Sequence, residues 1–304
     1  MKLKLGRRSP NLSDRRGATG GVGGLGGMPL PIGMLGGLGL PGILLLVALL
    51  VFTQFCSGGG GGGFGVDSPL DGFPSAGVAP GEGGGAIAPE DDPDVDLVNF
   101  VSAVLDDVQI FWIDEFGRAG QDYREAQLVL FEDSTNSGCG FATAAVGPFY
   151  CGADETVYLD LGFFRELHQR FGAPGDFAQA YVIGHEIAHH IQNITGISQE
   201  VRDLSADDPG DANELSIRQE LQADCLAGVW GYSTQQRGIL EPGDLDEALE
   251  AAAAIGDDRI QQQATGRTNP ESWTHGSSEQ RVEWFRRGFE SGDASNCNTF
   301  ESDI

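Results

Sequence analysis

The stretch Phe177–Gln192 (FAQAYVIGHEIAHHIQ) leaves the chain one workable local conformation. Val182, Ile183, Ile187, Ala188 and Ile191 recur at helical spacing, and Gly175 and Gly196 bracket a predicted helix over Asp176–Asn193. Residues four apart on a helix lie one above the other, so His185 and His189 face the same way. The apolar flanks put this helix in a core, where two neutral imidazoles can share one divalent metal. Three protein ligands with an open position make a catalytic zinc site, whereas four closed ligands make a structural one. Glu186 falls beside the open position, where it can take a proton from a water that the metal acidifies. His-Glu-x-x-His alone recurs by chance, but three of the five histidines of this chain fall within the six residues 185–190.

Glu220-Leu221-Gln222-Ala223-Asp224 begins 31 residues after His189, on a second predicted helix, Ala212–Gln235. Glu220 and Asp224 are also four apart. Leu221, Ala223, Cys225, Leu226, Val229 and Trp230 make this helix buried as well, and buried carboxylates need partners. Glu220 is the expected third metal ligand. Asp224 is expected behind the ligands, accepting the second N–H of a ligating histidine and so fixing its tautomer. His190 points about 100° away from His189 and is expected in the core or behind the ligands. His168 is expected at the surface. His275 lies in Thr274-His275-Gly276-Ser277-Ser278, just before a predicted last helix, Glu279–Phe289, with Ser277 or Ser278 as N-cap. Two roles stand open for it: an oxyanion donor, shared with Arg281 as the alternative, or a packing residue.

The rest of the chain divides by composition. Residues 1–31 form a Gly-rich head in which Lys2, Lys4, Arg7, Arg8, Arg15 and Arg16 face a single acid, Asp14. Ile32–Phe55 contains no charge, long enough to cross roughly 30 Å of hydrocarbon as a helix. The long basic lead and the lack of a small-x-small cleavage site favour an uncleaved anchor over 32–56. The positive-inside rule then leaves the N-terminus cytoplasmic, with one span and everything after it extracytoplasmic. Residues 57–93, with the run Gly58–Gly63, read as a disordered linker. Residues 94–304 suffice for one domain with its own core. Its strands (Ala126–Phe131, Thr156–Asp160) are few and its helices many, including Leu97–Phe116, Leu161–Arg170 and Asp244–Gln263, so the fold class is α+β. The formal net charge is −27, which argues against nucleic acid as a partner, since phosphate contacts need surplus Lys and Arg.

Four cysteines follow the span segment: Cys139, Cys151, Cys225 and Cys297. In an exported domain an even count suggests two disulfides. Three pairings are possible, with four reduced thiols as the alternative; Cys139–Cys151 and Cys225–Cys297 is the pairing expected.

Gly147–Phe164 (GPFYCGADETVYLDLGFF), Phe177–Gln192, Arg218–Trp230 (RQELQADCLAGVW) and Thr274–Phe285 (THGSSEQRVEWF), in this order, resemble the putative neutral zinc metallopeptidase family of membrane-anchored bacterial proteins. The resemblance covers 95–304, and the basic head, apolar stretch and Gly-rich segment fit it too. More distantly, the motif order is similar to gluzincins of the CAAX prenyl-protease type. The resemblance implies zinc held by His185, His189 and Glu220, Glu186 as base, and a zincin-like fold. A sheet edge would hold an extended polypeptide substrate, with Thr156–Asp160 as the candidate edge. Gly184 stands where the family pattern favours Ala, which is expected to loosen helix packing. The expected activity is a membrane-anchored zinc endopeptidase. Two alternatives remain: a zinc-binding but non-proteolytic envelope scaffold, and a metal-dependent amidase acting on cell-wall material.

Overall fold

The computed structural model describes residues 1–4, 6–17, 87–169 and 175–304. The predicted span at 32–56 and most of the linker, 57–86, lie outside the described residues. Among the described residues no helix is long and apolar enough to cross a membrane.

Alternation along β2 (Gln127–Phe131) and β6 (Thr156–Asp160) gives the sheet two faces. Leu128, Leu130, Val157 and Leu159 enter the main core, against the helices. Val129, Phe131 and Tyr158 point the other way and form a small cluster with Cys151 and Phe149. The sheet order is β1-β2-β6-β5, with β1 at Leu12–Asp14 and β5 at Phe149–Cys151. β1, β2 and β6 are parallel and β5 runs antiparallel to β6. β6 is therefore an interior strand with all five residues buried, and β5 beside it is the edge of the sheet among the described residues. This corrects the expectation that Thr156–Asp160 forms the edge. A hairpin of β3 (Ser134–Ser137) and β4 (Gly140–Thr143) stands apart from the sheet.

α1 (Val95–Arg118) buries Val98, Val101, Val104, Leu105, Val108 and Trp112, the stripe its 3.6-residue pattern predicts. After α2 (Leu161–Gln169) comes α3 (Asp176–Ile194), which buries residues on nearly every side. A short helix, α4 (Ile197–Asp207), follows; it is not among the helices predicted from sequence, although Ile197, Val201 and Leu204 stand at helical spacing. Next is α5 (Ala212–Gln236). The segment expected as one helix over Asp244–Gln263 is two, α6 (Asp244–Ala254) and α7 (Asp257–Thr265). The break falls at Gly256, where a Cβ would stand 2.4 Å from the backbone nitrogen of Ser278. α8 (Ser278–Ser291) starts at Ser277, which forms a capping box with Gln280. Both expected disulfides, Cys139–Cys151 and Cys225–Cys297, are formed.

α5 and α8 meet backbone to backbone. A Cβ on Gly228 would lie 2.1 Å from Phe285 O, and one on Gly288 would lie 1.9 Å from Cys225 O. Main chain cannot rotate aside as a side chain can. Gly288→Ala is therefore expected to lower stability by about 3 kcal/mol despite the gain of roughly 1 kcal/mol in helix propensity. Denaturant unfolding reads this as a lower midpoint at unchanged slope. Gly184 also serves close approach, since its Cβ would stand 3.1 Å from the Trp230 ring. The expectation of loosened packing there is corrected.

The separate head set at 1–31 is corrected too. Its described part is built into the domain, in one compact unit with the chain after the linker. β1 pairs with β2 through Leu12↔Leu128, Ser13↔Val129 and Asp14↔Leu130. The Ser9 backbone N–H donates to Ser102 Oγ at 2.7 Å, and the Met1 amino group lies 2.6 Å from Asp176 and 3.2 Å from Asp244.

Candidate metal centre and active-site cleft

α3 presents His185 and His189 on one face, and α5, crossing it, presents Glu220 and Asp224 toward them. The His185, His189 and Glu220 ligand atoms all lie within 4.8 Å of one another. Glu220 spans the two imidazoles, with Oε2 3.2 Å from His185 Nε2 and Oε1 3.4 Å from His189 Nε2. Two nitrogens and one carboxylate, converging from two helices, match the kind of donor set that catalytic zinc sites use. The fit extends to the atoms behind the donors. The Asp224 carboxylate is completely buried and accepts His185 Nδ1–H at 2.9 Å, which leaves His185 Nε2 for the ion. Asp224 also accepts the Tyr181 hydroxyl at 2.5 Å and Arg281 Nε and Nη2 at 2.8 and 3.0 Å. Burial alone would raise the Asp224 pKa, but Arg281 and His185 hold it below the usual carboxylate range.

His189 has a partner that sequence reasoning missed. Its Nδ1–H donates to Gln192 Oε1 at 2.9 Å. The Gln192 amide donates in turn to Gln219 O at 2.7 Å and Gln222 Oε1 at 3.0 Å. The available signal was Gln192 and Gln222, two amides in otherwise apolar helical faces, one of them three residues after a ligand.

His190 is fully buried in a different arrangement. Its Nε2–H donates to Arg124 O at 2.6 Å, so Nδ1 accepts from the Tyr150 hydroxyl at 2.9 Å. Burial pushes its pKa down and keeps the ring neutral. This ties α3 to the edge strand. His168 is exposed on α2.

A cleft of about 890 Å³ opens over the three donors. Glu186, 7% exposed, lines it beside them, and burial raises its pKa against the pull of the two histidines. Ala145, Val146, Phe149, Tyr150 and Phe163 also line it. His275 is on the cleft wall but outside the donor triad; its ring is half-exposed and its Nδ1 lies 3.2 Å from Asp257 Oδ1. Asp257 Oδ2 also accepts the backbone N–H groups of Thr274, His275 and Gly276, which fixes the loop. The Arg281 guanidinium is engaged with Asp224 and Tyr181. These close contacts lie behind His185, and Arg281 also lines the cleft, with Nη2 3.9 Å from Glu220 Oε2.

Burial works against the charge on His185, but Asp224 and Glu220 outweigh it and lift its pKa to about 10. His189 is also raised, since Glu220 outweighs burial. A raised pKa means that protons compete with the cation below it. Zinc affinity is therefore expected to climb with pH through the neutral range, by up to about tenfold per unit for each proton released. Calorimetric zinc titration in buffers of differing ionisation enthalpy reads the proton release directly.

The sequence profile of the family described as "Putative neutral zinc metallopeptidase" matches residues 1–300. YpfJ of Escherichia coli (strain K12), described as an uncharacterized protein, is 46% identical over 306 residues, the whole of both chains. Rv2575 of Mycobacterium tuberculosis (strain H37Rv), also described as uncharacterized, is 46% identical over 191 residues, 59% of this chain and 64% of the relative. No solved structure matches the chain. The match extends beyond the donor helices to the N-terminal residues that complete the sheet, and the family's metal is the one the donor set fits. The chain belongs to the putative neutral zinc metallopeptidase family, and its cofactor is Zn2+.

Proposed function

We propose that the protein is a zinc-dependent endopeptidase, held at a membrane through 32–56, with its cleft on the extracytoplasmic side. The observation that carries the reading is the sharing of one cleft by His185, His189, Glu220, the carboxylate of Glu186 and the β5 sheet edge. A scaffold needs the three donors but has no use for a buried base beside them.

Bound zinc supplies Lewis acidity, polarising a carbonyl and lowering the pKa of water. Glu186 accepts a proton from the attacking water and passes it to the departing amine. An extended polypeptide pairs with the main chain of Phe149 and Tyr150, which places its scissile bond over the donors. Val146, Phe149 and Phe163 favour an apolar side chain next to that bond. His275, steadied by Asp257, is the donor proposed for the developing oxyanion. The two disulfides support an oxidising compartment.

The test compares the whole purified protein, zinc-loaded and chelator-treated, on an unstructured polypeptide and on isolated cell-wall fragments. Polypeptide cleavage that disappears with chelation and returns with zinc is the expected result. Cleavage of cell-wall fragments alone would replace the reading with an amidase, and zinc binding without hydrolysis would replace it with a scaffold.

A further inference from the structure

Asp14, Arg16 and Asp92 close the two ends of the excursion between residues 17 and 87 onto one spot. The Arg16 side chain is 4% exposed and forks between two carboxylates. Its Nε and Nη2 lie 2.9 and 2.7 Å from the oxygens of Asp14, and its Nη1 and Nη2 lie 3.2 and 2.6 Å from those of Asp92. Arg8 Nη2 adds a second cation, 3.7 Å from Asp92. Asp92 accepts the backbone N–H of Asp94 at 2.9 Å, at the start of α1. Such a desolvated fork is rigid and specific. Parallel pairing of β1 with β2, the buried bond from Ser9 to Ser102, and Leu3 and Leu12 against the core make the N-terminal residues an integral part of the domain. Strands hydrogen-bonded to one another are about 4.8 Å apart, whereas a bilayer with its headgroups is about 40 Å thick. β1 and β2 cannot stand on opposite sides of one.

We propose that residues 1–17 and 87–304 form one body that stands, as a whole, on a single face of the membrane. The inference rests on the membrane reading given above and replaces the single crossing with a cytoplasmic N-terminus. The sequence supplies no second apolar run for a return crossing in 56–86, and Pro41-Gly42 stands within the first. The positive-inside rule weighs against this less than the composition suggests. It counts residues within about 15–20 of a span. Lys2, Lys4, Arg7 and Arg8 lie farther from Ile32, which leaves Arg15 and Arg16 within that distance. Because the disulfides belong to the same body, that face is the oxidising one.

The test uses the full chain with Cys56→Ser, carrying Ser13→Cys or Asp303→Cys, both exposed positions outside the cleft. Spheroplasts are treated with a membrane-impermeant maleimide, and labelling is normalised to that of lysed cells. Equal ratios at the two positions, within about twofold, are expected. Labelling of one position with protection of the other overturns the proposal. Protection of both keeps the single face and moves it to the cytoplasm, against the exterior placement. Carbonate extraction of the same membranes reports separately whether the chain is membrane-anchored, so that failure of that reading is distinguishable.

Discussion

Glu186→Gln is expected to bind zinc at full stoichiometry and to hydrolyse polypeptide about 10³-fold more slowly, with the loss in kcat rather than KM. The substitution preserves shape, and the three donors are supplied by other residues, so the ion has no reason to leave. What disappears is the ability to take a proton from water and return it to the amine. Positioned proton transfer is worth roughly 10²–10⁴-fold, and this residue serves both transfers. Burial of Glu186 in the cleft makes an outside base a poor substitute. Metal analysis by mass spectrometry and steady-state cleavage of an unstructured protein check the two halves separately. Retained zinc with unchanged turnover would remove Glu186 from the chemistry; lost zinc would make it a structural residue.

The donor set was legible because its information is local. His185 and His189 are spaced by one helical turn inside an apolar run, and Glu220 and Asp224 repeat that spacing in another. The crossing that brings them together follows from burying both runs in one core. The Gln192, Gln219 and Gln222 relay was not legible, because an amide announces neither its direction nor its partner across a helix crossing. Strand order is a property of the whole sheet. Thr156–Asp160 reads as a strand from its own alternation, but its interior position depends on Phe149–Cys151 pairing on one side and Gln127–Phe131 on the other. The N-terminal strand was hidden most deeply. Only three residues pair, more than a hundred positions from their partners, and a charged segment before an apolar run has a ready reading as a membrane lead. The divided helix at 244–265 shows a tertiary contact overriding a local pattern: Gly256 is a weak breaker until Ser278 packs against it.

Removing the Arg281 guanidinium is expected to cost about 3–5 kcal/mol, with zinc affinity falling alongside stability. Arg281 is 2% exposed and Asp224 is completely buried, so Arg281→Met leaves a carboxylate without its counter-cation in a site closed to water. Asp224 keeps the Tyr181 hydroxyl and His185 Nδ1–H. Two responses are open to it. It can take a proton, which weakens its hold on His185, or His185 can retain the charge, which opposes the incoming cation. Either one lowers zinc affinity without touching a ligand. Arg281→Lys keeps the charge but not the planar fork that reaches Asp224 through two nitrogens, and falls between. Should Arg281→Met fail to fold, the double variant with Asp224→Asn is the decisive measurement. With the carboxylate made neutral, loss of the guanidinium strands no charge, and the cost of the second substitution should shrink to about 1 kcal/mol by the logic of a mutant cycle. Denaturant unfolding of the zinc-free proteins and competitive zinc titration give both quantities. Wild-type stability and affinity in Arg281→Met would show that the carboxylate behind His185 holds its place unaided, and additive costs in the double variant would show that the two residues do not act as a pair.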